Sequence, residues 1–334
     1  MKKSLHEPNV EIGGYFGLDL PDYGNQFVNA IKFQSCRAAL RAALESANIK
    51  RVLLPAYICD SVIQAVTDAG AYVQTYELDD SLYPASLPNL SFDSYALLYV
   101  NYFGLCQENV DRLHKGIPEK HLIIDNSQAL FAPPTSALAT VYSPRKFVGV
   151  PDGGLLVTSG LGVIEPESED AGSIDRMRHL HLRMAYSAQD GYQAFLEAEN
   201  TLGNTEPLRM SRLTKRILTS IDLEAVKRCR RENYLALATR LDKYNRHKWV
   251  LGSESVPLCY PLLVDANVEN LKTKLAKKGI YIPTYWPESK GRVQLGSIGQ
   301  RLINCCLAVP CDQRYSPGEM SYLADEIVSG YINE

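Results

Sequence analysis

Hydrophobic and polar positions alternate between two spacings along the first half of the chain. Arg51-Val52-Leu53-Leu54-Pro55 reads as a buried strand ended by proline, and Tyr57 to Ala69 as a helix closed by Gly70. Ala71 to Leu78 alternates as a strand. Tyr95 to Val100 is an apolar run that leads into Asn101-Tyr102-Phe103-Gly104. Asn109 to Lys115 has helical spacing, and His121 to Asp125 is a further buried strand with an acid at its C-terminal end. Ala139 to Tyr142 and Leu155 to Val157 complete the series. This β/α alternation predicts an α/β fold, a mostly parallel sheet with helices on both faces. Ligands of such sheets gather at the C-terminal ends of the strands. Pro55 to Cys59, Asn101 to Gly104 and Asp125 to Gln128 all fall there.

The second half reads differently. Ile174 to Glu199 is helical and charged, and Glu206 to Ser211 breaks the pattern. Leu218 to Tyr244 reads as one long connector helix, with the basic run Lys227-Arg228-Cys229-Arg230-Arg231 on a solvated face. A smaller unit follows: a strand over Val256 to Val264, a helix over Val268 to Lys278 stopped by Gly279, and a short strand Ile280 to Ile282. Thr284 to Pro287 is an aromatic loop, Leu307 to Pro310 a strand, and Ser316 to Tyr331 a closing helix with Pro317 in its first turn. The expected division is a large domain over 1–222, including an N-terminal arm, and a connector helix with a small C-terminal α/β domain over 223–334. The glycine-rich Ile12 to Gly17 is either an arm lying over a site or a partner, or a plain surface loop.

Composition narrows the class. At 334 residues, 46% hydrophobic and 22% charged, the chain is an ordinary globular sequence. A net charge of −3 gives no electrostatic case for nucleic acid or an anionic membrane. No apolar run is long enough to span a bilayer, and Met1-Lys2-Lys3 leads into polar residues, so a cytoplasmic protein is expected. The eight cysteines include no C-x-x-C pair and read as free thiols. No G-x-G-x-x-G follows a strand, which speaks against a nicotinamide-dependent reductase.

Candidate chemistry centres on Thr140 to Gly154. There a Ser143-Pro144 turn sets Lys146 at its tip, before the loop Gly149, Pro151, Gly153, Gly154. Lys146 is either a solvated turn lysine or, in apolar surroundings, a nucleophilic amine. Asp125 either caps the next turn or holds a cofactor ring nitrogen; it lies 21 residues before Lys146. Ser35 is a plausible N-cap for a helix beginning near Arg37, and a helix start can hold a phosphate. Arg37 in a first turn is unusual: either an anion sits nearby or an ordinary carboxylate pairs with it.

In order along the chain, these segments resemble the DegT/DnrJ/EryC1/StrS sugar aminotransferases, which are fold-type-I pyridoxal-phosphate (PLP) enzymes. Ser35-Cys36-Arg37-Ala38-Ala39-Leu40 is similar to that family's Ser-Gly-Thr-x-Ala-Leu phosphate turn. Asn101-Tyr102-Phe103-Gly104 is similar to its His-x-Tyr-Gly-like strand end, and Asp125-Asn126-Ser127-Gln128-Ala129 to its Asp-x-Ala-Gln-Ala element. Ser143 to Lys146 with Gly153-Gly154 resembles its Ser-x-x-Lys…Gly-Gly block, and Leu307 to Ser316 its closing segment.

The resemblance implies a PLP-dependent aminotransferase that moves an amino group from an amino acid, glutamate often in the family, to a keto-sugar linked to a nucleotide. It implies that Lys146 forms the Schiff base with the cofactor and shuttles a proton. Asp125 would face the pyridinium nitrogen and Gln128 the ring oxygen. Ser35, the Cys36 backbone and Ser143 would hold the phosphate, and a homodimer would build the site. Cys36 and Arg37 depart from Gly-Thr, with Arg37 supplying charge. Cys59 stands where a stacking aromatic is expected, with Tyr57 as a substitute. Tyr15, Tyr102 and Tyr285 are substrate contacts by placement. Two rivals remain: a dehydratase, disfavoured because Lys146 is kept where those enzymes carry histidine, and a PLP- or sugar-nucleotide-binding protein without turnover.

Overall fold

The computed structural model describes residues 13–86 and 95–332. Ile12, Met1 and the residues between them lie outside that range. Seven strands form the main sheet: β1 (Ile31–Phe33), β2 (Arg51–Pro55), β3 (Tyr72–Tyr76), β4 (Tyr95–Val100), β5 (Leu122–Asn126), β6 (Ala139–Tyr142) and β7 (Gly154–Thr158), in the order β1-β7-β6-β5-β4-β2-β3. The pairs β2/β3, β2/β4, β4/β5 and β5/β6 are parallel, whereas β7 runs antiparallel to β6 and β1. The expected mostly parallel sheet is therefore present, with a reversed strand toward one edge. Register aligns Val100 with Asp125 and Asp125 with Val141, so the C-terminal ends of the central strands form one rim.

Four early helices are α1 (Cys36–Ser46), α2 (Asp60–Asp68), α3 (Gln107–Gly116) and the short α4 (Ser173–Arg176). The helical, charged stretch over 174–199 is divided among α4, α5 (Arg178–Ala185) and α6 (Ala188–Thr201), the last capped by Ser187, which accepts from the Asp190 N–H. The connector is also two helices, α7 (Arg212–Thr219) and α8 (Leu223–Leu241). The Asp222 side chain accepts from the Ala225 N–H and starts α8 afresh. Then come β8 (Cys259–Leu263), α9 (Glu269–Lys277), α10 (Ile298–Cys305), β9 (Cys306–Pro310) and α11 (Pro317–Ile332). Strands β8 and β9 pair antiparallel as a separate two-stranded sheet. Ile280 to Ile282 forms no strand: it leads out of α9, with Ile282 buried and no partner strand beside it among the described residues.

Apolar packing follows these layers. The main core joins α1, α2 and the inner faces of β2, β4 and β5, and it reaches Trp286 and α10. A second core gathers α8, β8, α9, β9 and α11. The basic run on α8 is not a uniformly solvated face. Arg230 is buried, its guanidinium donating to the carbonyls of Pro257, Leu258 and Phe147 and to Gln313 Oε1 at 3.0–3.2 Å. Carbonyls from three other segments converge on this point of α8, and they draw the cation inward.

Candidate active site

Strand β5 ends in Asp125-Asn126, and the chain turns at once: the Ala129 N–H reaches the Asn126 carbonyl at 2.9 Å. Asp125 is buried, and its Oδ1 accepts the Ser127 N–H at 2.7 Å. Gln128 is fully buried, with Oε1 accepting the Phe103 N–H at 2.8 Å and Nε2 left without a partner among the described residues. Strand β6 ends in Ser143, and a single 3₁₀ turn, Pro144–Lys146, begins with proline where its missing N–H costs nothing. The turn aims Lys146 back at the β5 end, where Nζ donates to Ser127 Oγ at 3.1 Å. The acid and the amine are thus joined through one intervening residue.

Helix α1 opens beside them. Ser35 caps it by accepting from the Ala38 N–H at 3.2 Å. The amides of Cys36 and Arg37 precede the first intrahelical donors and point outward at the positive end of the helix. The close approach depends on Gly154: a Cβ there would lie 2.1 Å from the Ser35 carbonyl oxygen and 2.5 Å from the Cys36 nitrogen. Cys36 completes the cluster. Burial pushes its thiol pKa well up, the charge of Asp125 adds to this, and Lys146 pulls the other way, with smaller effects from Cys59 and Arg37. Those influences place Cys36 within electrostatic reach of all four groups. Arg37 is half-buried and has no carboxylate within ion-pair distance among the described residues, so the ordinary-pairing reading finds no partner here. Ser143 is buried at the start of the lysine turn, and its side chain caps nothing there.

Several expected contacts are placed elsewhere. The apolar enclosure expected for Lys146 is absent: the residue is exposed, with Trp286 the nearest aromatic face at 5.9 Å from Nζ. Tyr102 is not open to a substrate. Its side chain is fully buried, its hydroxyl donates to the Tyr57 carbonyl at 3.0 Å, and its ring stacks on Tyr57. Tyr57, the substitute stacker, is itself packed between Tyr102 and Trp286. Tyr15 is 99% exposed and joins no cluster among the described residues. Tyr285 is half-buried and packs on Phe103 with ring centroids 6.0 Å apart, near the rim. Cys59 ends the β2 loop as the N-cap residue of α2, its sulfur 3.1 Å from Ser61 Oγ.

Two residues join the site without having been singled out in the sequence. Ser127 was read only as part of a motif. Trp286 lay in an aromatic loop where nothing distinguished it, yet it adopts a left-handed backbone conformation (φ 52°) that a bulky residue rarely takes. A cavity of about 620 Å³ has walls that include Asn101, Gly104, Trp249 and Val256 but not Lys146.

The fold and rim define an α/β protein with a lysine, a buried carboxylate and a helix start converging at the C-terminal edge of the sheet. The chain matches no protein-family model and no curated protein. Solved structures do share its fold. The aminotransferase TlmJ from Streptoalloteichus hindustanus matches with a TM-score of 0.62 at 17% identity, over 91% of this chain and 86% of that one. Spr1654 from Streptococcus pneumoniae, described as a sugar aminotransferase and solved in its PMP form, gives 0.60 at 16% identity, over 92% and 87%. DesI, crystallised in the presence of its TDP-sugar product, gives 0.59 at 18% identity, over 90% and 80%. At these identities the likeness establishes a common fold, and the resemblance drawn from the motifs holds at that level.

Proposed function

We propose that this protein is a PLP-dependent aminotransferase acting on a keto-sugar, with an amino acid as donor. The observation that carries the reading is the Lys146 amine drawn to Ser127 Oγ at 3.1 Å, on the residue whose own N–H holds the buried Asp125 carboxylate. The neighbouring structures support it: Spr1654 was solved in a PMP form, and DesI in the presence of its TDP-sugar product. A nucleotide-linked sugar and a glutamate donor are the finer form of the proposal, and a homodimer goes with it.

The residues present fit the cofactor. Gln128 carries a buried Nε2 with no partner among the described residues, a donor suited to a ring oxygen. Asp125 offers a buried carboxylate for a protonated ring nitrogen. The outward amides of Cys36 and Arg37, the Arg37 charge and the Ser143 and Ser35 hydroxyls make an anion cradle at the start of α1. Cys59 would border the ring. When bound, PLP supplies an aldehyde that takes up amines and a ring that accepts an electron pair. Around it, Asp125 keeps a ring proton in place, Gln128 orients the ring and Lys146 holds or releases a proton at Nζ.

The test is spectroscopic. Added pyridoxal phosphate should give a visible absorption band that is absent in Lys146→Ala, and glutamate or another amino donor should bleach it. A colourless protein overturns the reading. A band that no amino donor bleaches favours binding without turnover.

A further inference from the structure

The segment Asp125-Asn126-Ser127-Gln128 departs from the Asp-x-Ala-Gln pattern at one residue, and that residue is the one Lys146 touches. Ser127 is buried, its N–H donates to Asp125 Oδ1 at 2.7 Å, and its Oγ accepts from Lys146 Nζ at 3.1 Å. The next residue, Gln128, is held by the Phe103 N–H, so the turn that presents the serine is fixed on both sides. Lys146 is otherwise exposed, on a single 3₁₀ turn, and its side chain has few other constraints. We infer that Ser127 is a positioning residue for Lys146: its hydroxyl is the resting place of the lysine amine whenever that amine is free, and keeps it beside the acid.

The chemistry of a hydroxyl suits that task. It has one donor and two acceptor lone pairs and can rotate between them. Toward an ammonium it accepts, as in this structure. Once the amine has given up a proton, the hydroxyl can turn and donate to the nitrogen lone pair. A carboxylate in the same place would hold the lysine charged, and an alanine would hold nothing. The other titratable or charged groups at this corner are Asp125 on β5, Cys36 and Arg37 on α1, and Cys59 before α2. All of them are unchanged by a substitution at Ser127.

This inference rests on the PLP reading for its purpose but not for its test. In cofactor-free protein, Lys146 acetylation by acetic anhydride is followed by peptide mass spectrometry near pH 8. Loss of the hydroxyl in Ser127→Ala frees the amine from the contact that occupies it, so labelling should accelerate about threefold or more, within the range set by the net worth of one ordinary hydrogen bond. Ser127→Thr, which keeps the hydroxyl, should label at the parent rate. With pyridoxal phosphate bound, Ser127→Ala should regain the Lys146-dependent band more slowly after a donor has bleached it. Equal labelling of parent and Ser127→Ala, with the band intact, overturns the Ser127 inference alone. Faster labelling in a protein that never develops a band keeps the serine contact and overturns the cofactor reading. Should Ser127→Ala fail to fold, Ser127→Cys, a weaker acceptor of similar size, takes its place with the same expectation.

Discussion

Replacing Arg230 with methionine isolates what holds the lysine turn from behind. The guanidinium donates to the Pro257 carbonyl at 3.2 Å, the Leu258 carbonyl at 3.1 Å and the Phe147 carbonyl at 3.2 Å, and lies 4.6 Å from the Phe147 ring. Phe147 follows Lys146 directly, and its carbonyl keeps a second donor, Gln313 Nε2 at 2.7 Å. The variant therefore strips this donor from Pro257 and Leu258 and leaves Phe147 half-served. A buried acceptor left unsatisfied costs about 1–3 kcal/mol. Methionine fills similar volume and removes a charge that burial disfavours, which offsets part of that loss. The balance is a destabilisation of about 2–4 kcal/mol. Arg230→Lys, with an ammonium that reaches fewer carbonyls, should fall between parent and methionine. Urea unfolding of the cofactor-free protein reads this as a lowered midpoint at unchanged slope. Hydrogen exchange should also quicken at the Phe147 and Val148 amides, both of which bond to the Pro144 carbonyl. A methionine variant within about 0.5 kcal/mol of the parent, the range of an ordinary surface change, would mean that the cluster is incidental.

Three further outcomes follow from the site and its supports. Gly154→Ala should destabilise by more than about 3 kcal/mol, because its Cβ meets backbone rather than a movable side chain at the start of α1; a fully folded, cofactor-binding variant by circular dichroism and absorbance would refute the packing argument. Cys36 should alkylate slowly with iodoacetamide at pH 8, since burial and then Asp125 hold its thiol protonated, and Lys146→Ala should slow it more by removing the charge that pulls the other way; faster modification in that variant contradicts the electrostatics. At Asp312, burial acts to raise the carboxyl pKa, but the two hydrogen bonds and charge of Arg314 outweigh it, so the folded value lies below the ordinary one. A depressed carboxyl contributes stability above its unfolded pKa of about 3.9 and loses it as the pH falls through the lower folded value. Asp312→Asn should therefore weaken the fold at pH 6 and flatten the acid limb of a stability–pH curve below about pH 4, and an unchanged acid limb would remove the pair from the account.

What was legible in the sequence is what short-range chemistry dictates. Arg51 to Pro55 and Tyr95 to Val100 are strands because their apolar runs are too short for helices and carry β-formers between breakers. Ser35 followed by alternating alanines and leucines starts a helix wherever it is placed. The errors arise where distant segments decide. The one-helix reading of Leu218 to Tyr244 missed that Asp222 caps a new helix, since an acid inside a helical pattern carries no mark of being a cap. The basic run on α8 looked solvated because the carbonyls that draw Arg230 inward come from Phe147, Pro257 and Leu258, remote in sequence. β1 is three residues long and is a strand only by pairing with β7. Tyr102 was misplaced because strand-end position says that a residue is near the rim, but not which way its ring turns.

The same distinction explains how the start of α1 can differ from the Gly-Thr of the resembled motif and still be proposed as an anion cradle. A threonine hydroxyl is a side-chain donor, replaceable in charge terms by the Arg37 guanidinium; the amides of Cys36 and Arg37 are backbone donors that any residue supplies. The glycine that geometry does demand lies across the contact, at position 154, where strand β7 passes against the helix start. A site built chiefly from helix starts, strand ends and one lysine constrains few side chains strictly: Asp125, Lys146 and Gly154, with Ser127 and Gln128 in the turn between. The rest of the surface is free to diverge, which is consistent with a common fold at 16% identity to Spr1654 and 18% to DesI. On this argument Cys36→Gly should leave cofactor affinity within about twofold, the backbone amide being retained, whereas Arg37→Ala should weaken it by about tenfold or more through loss of a charge-assisted contact. Titration of the visible band with pyridoxal phosphate measures both, and the reverse ranking would place the anion away from α1.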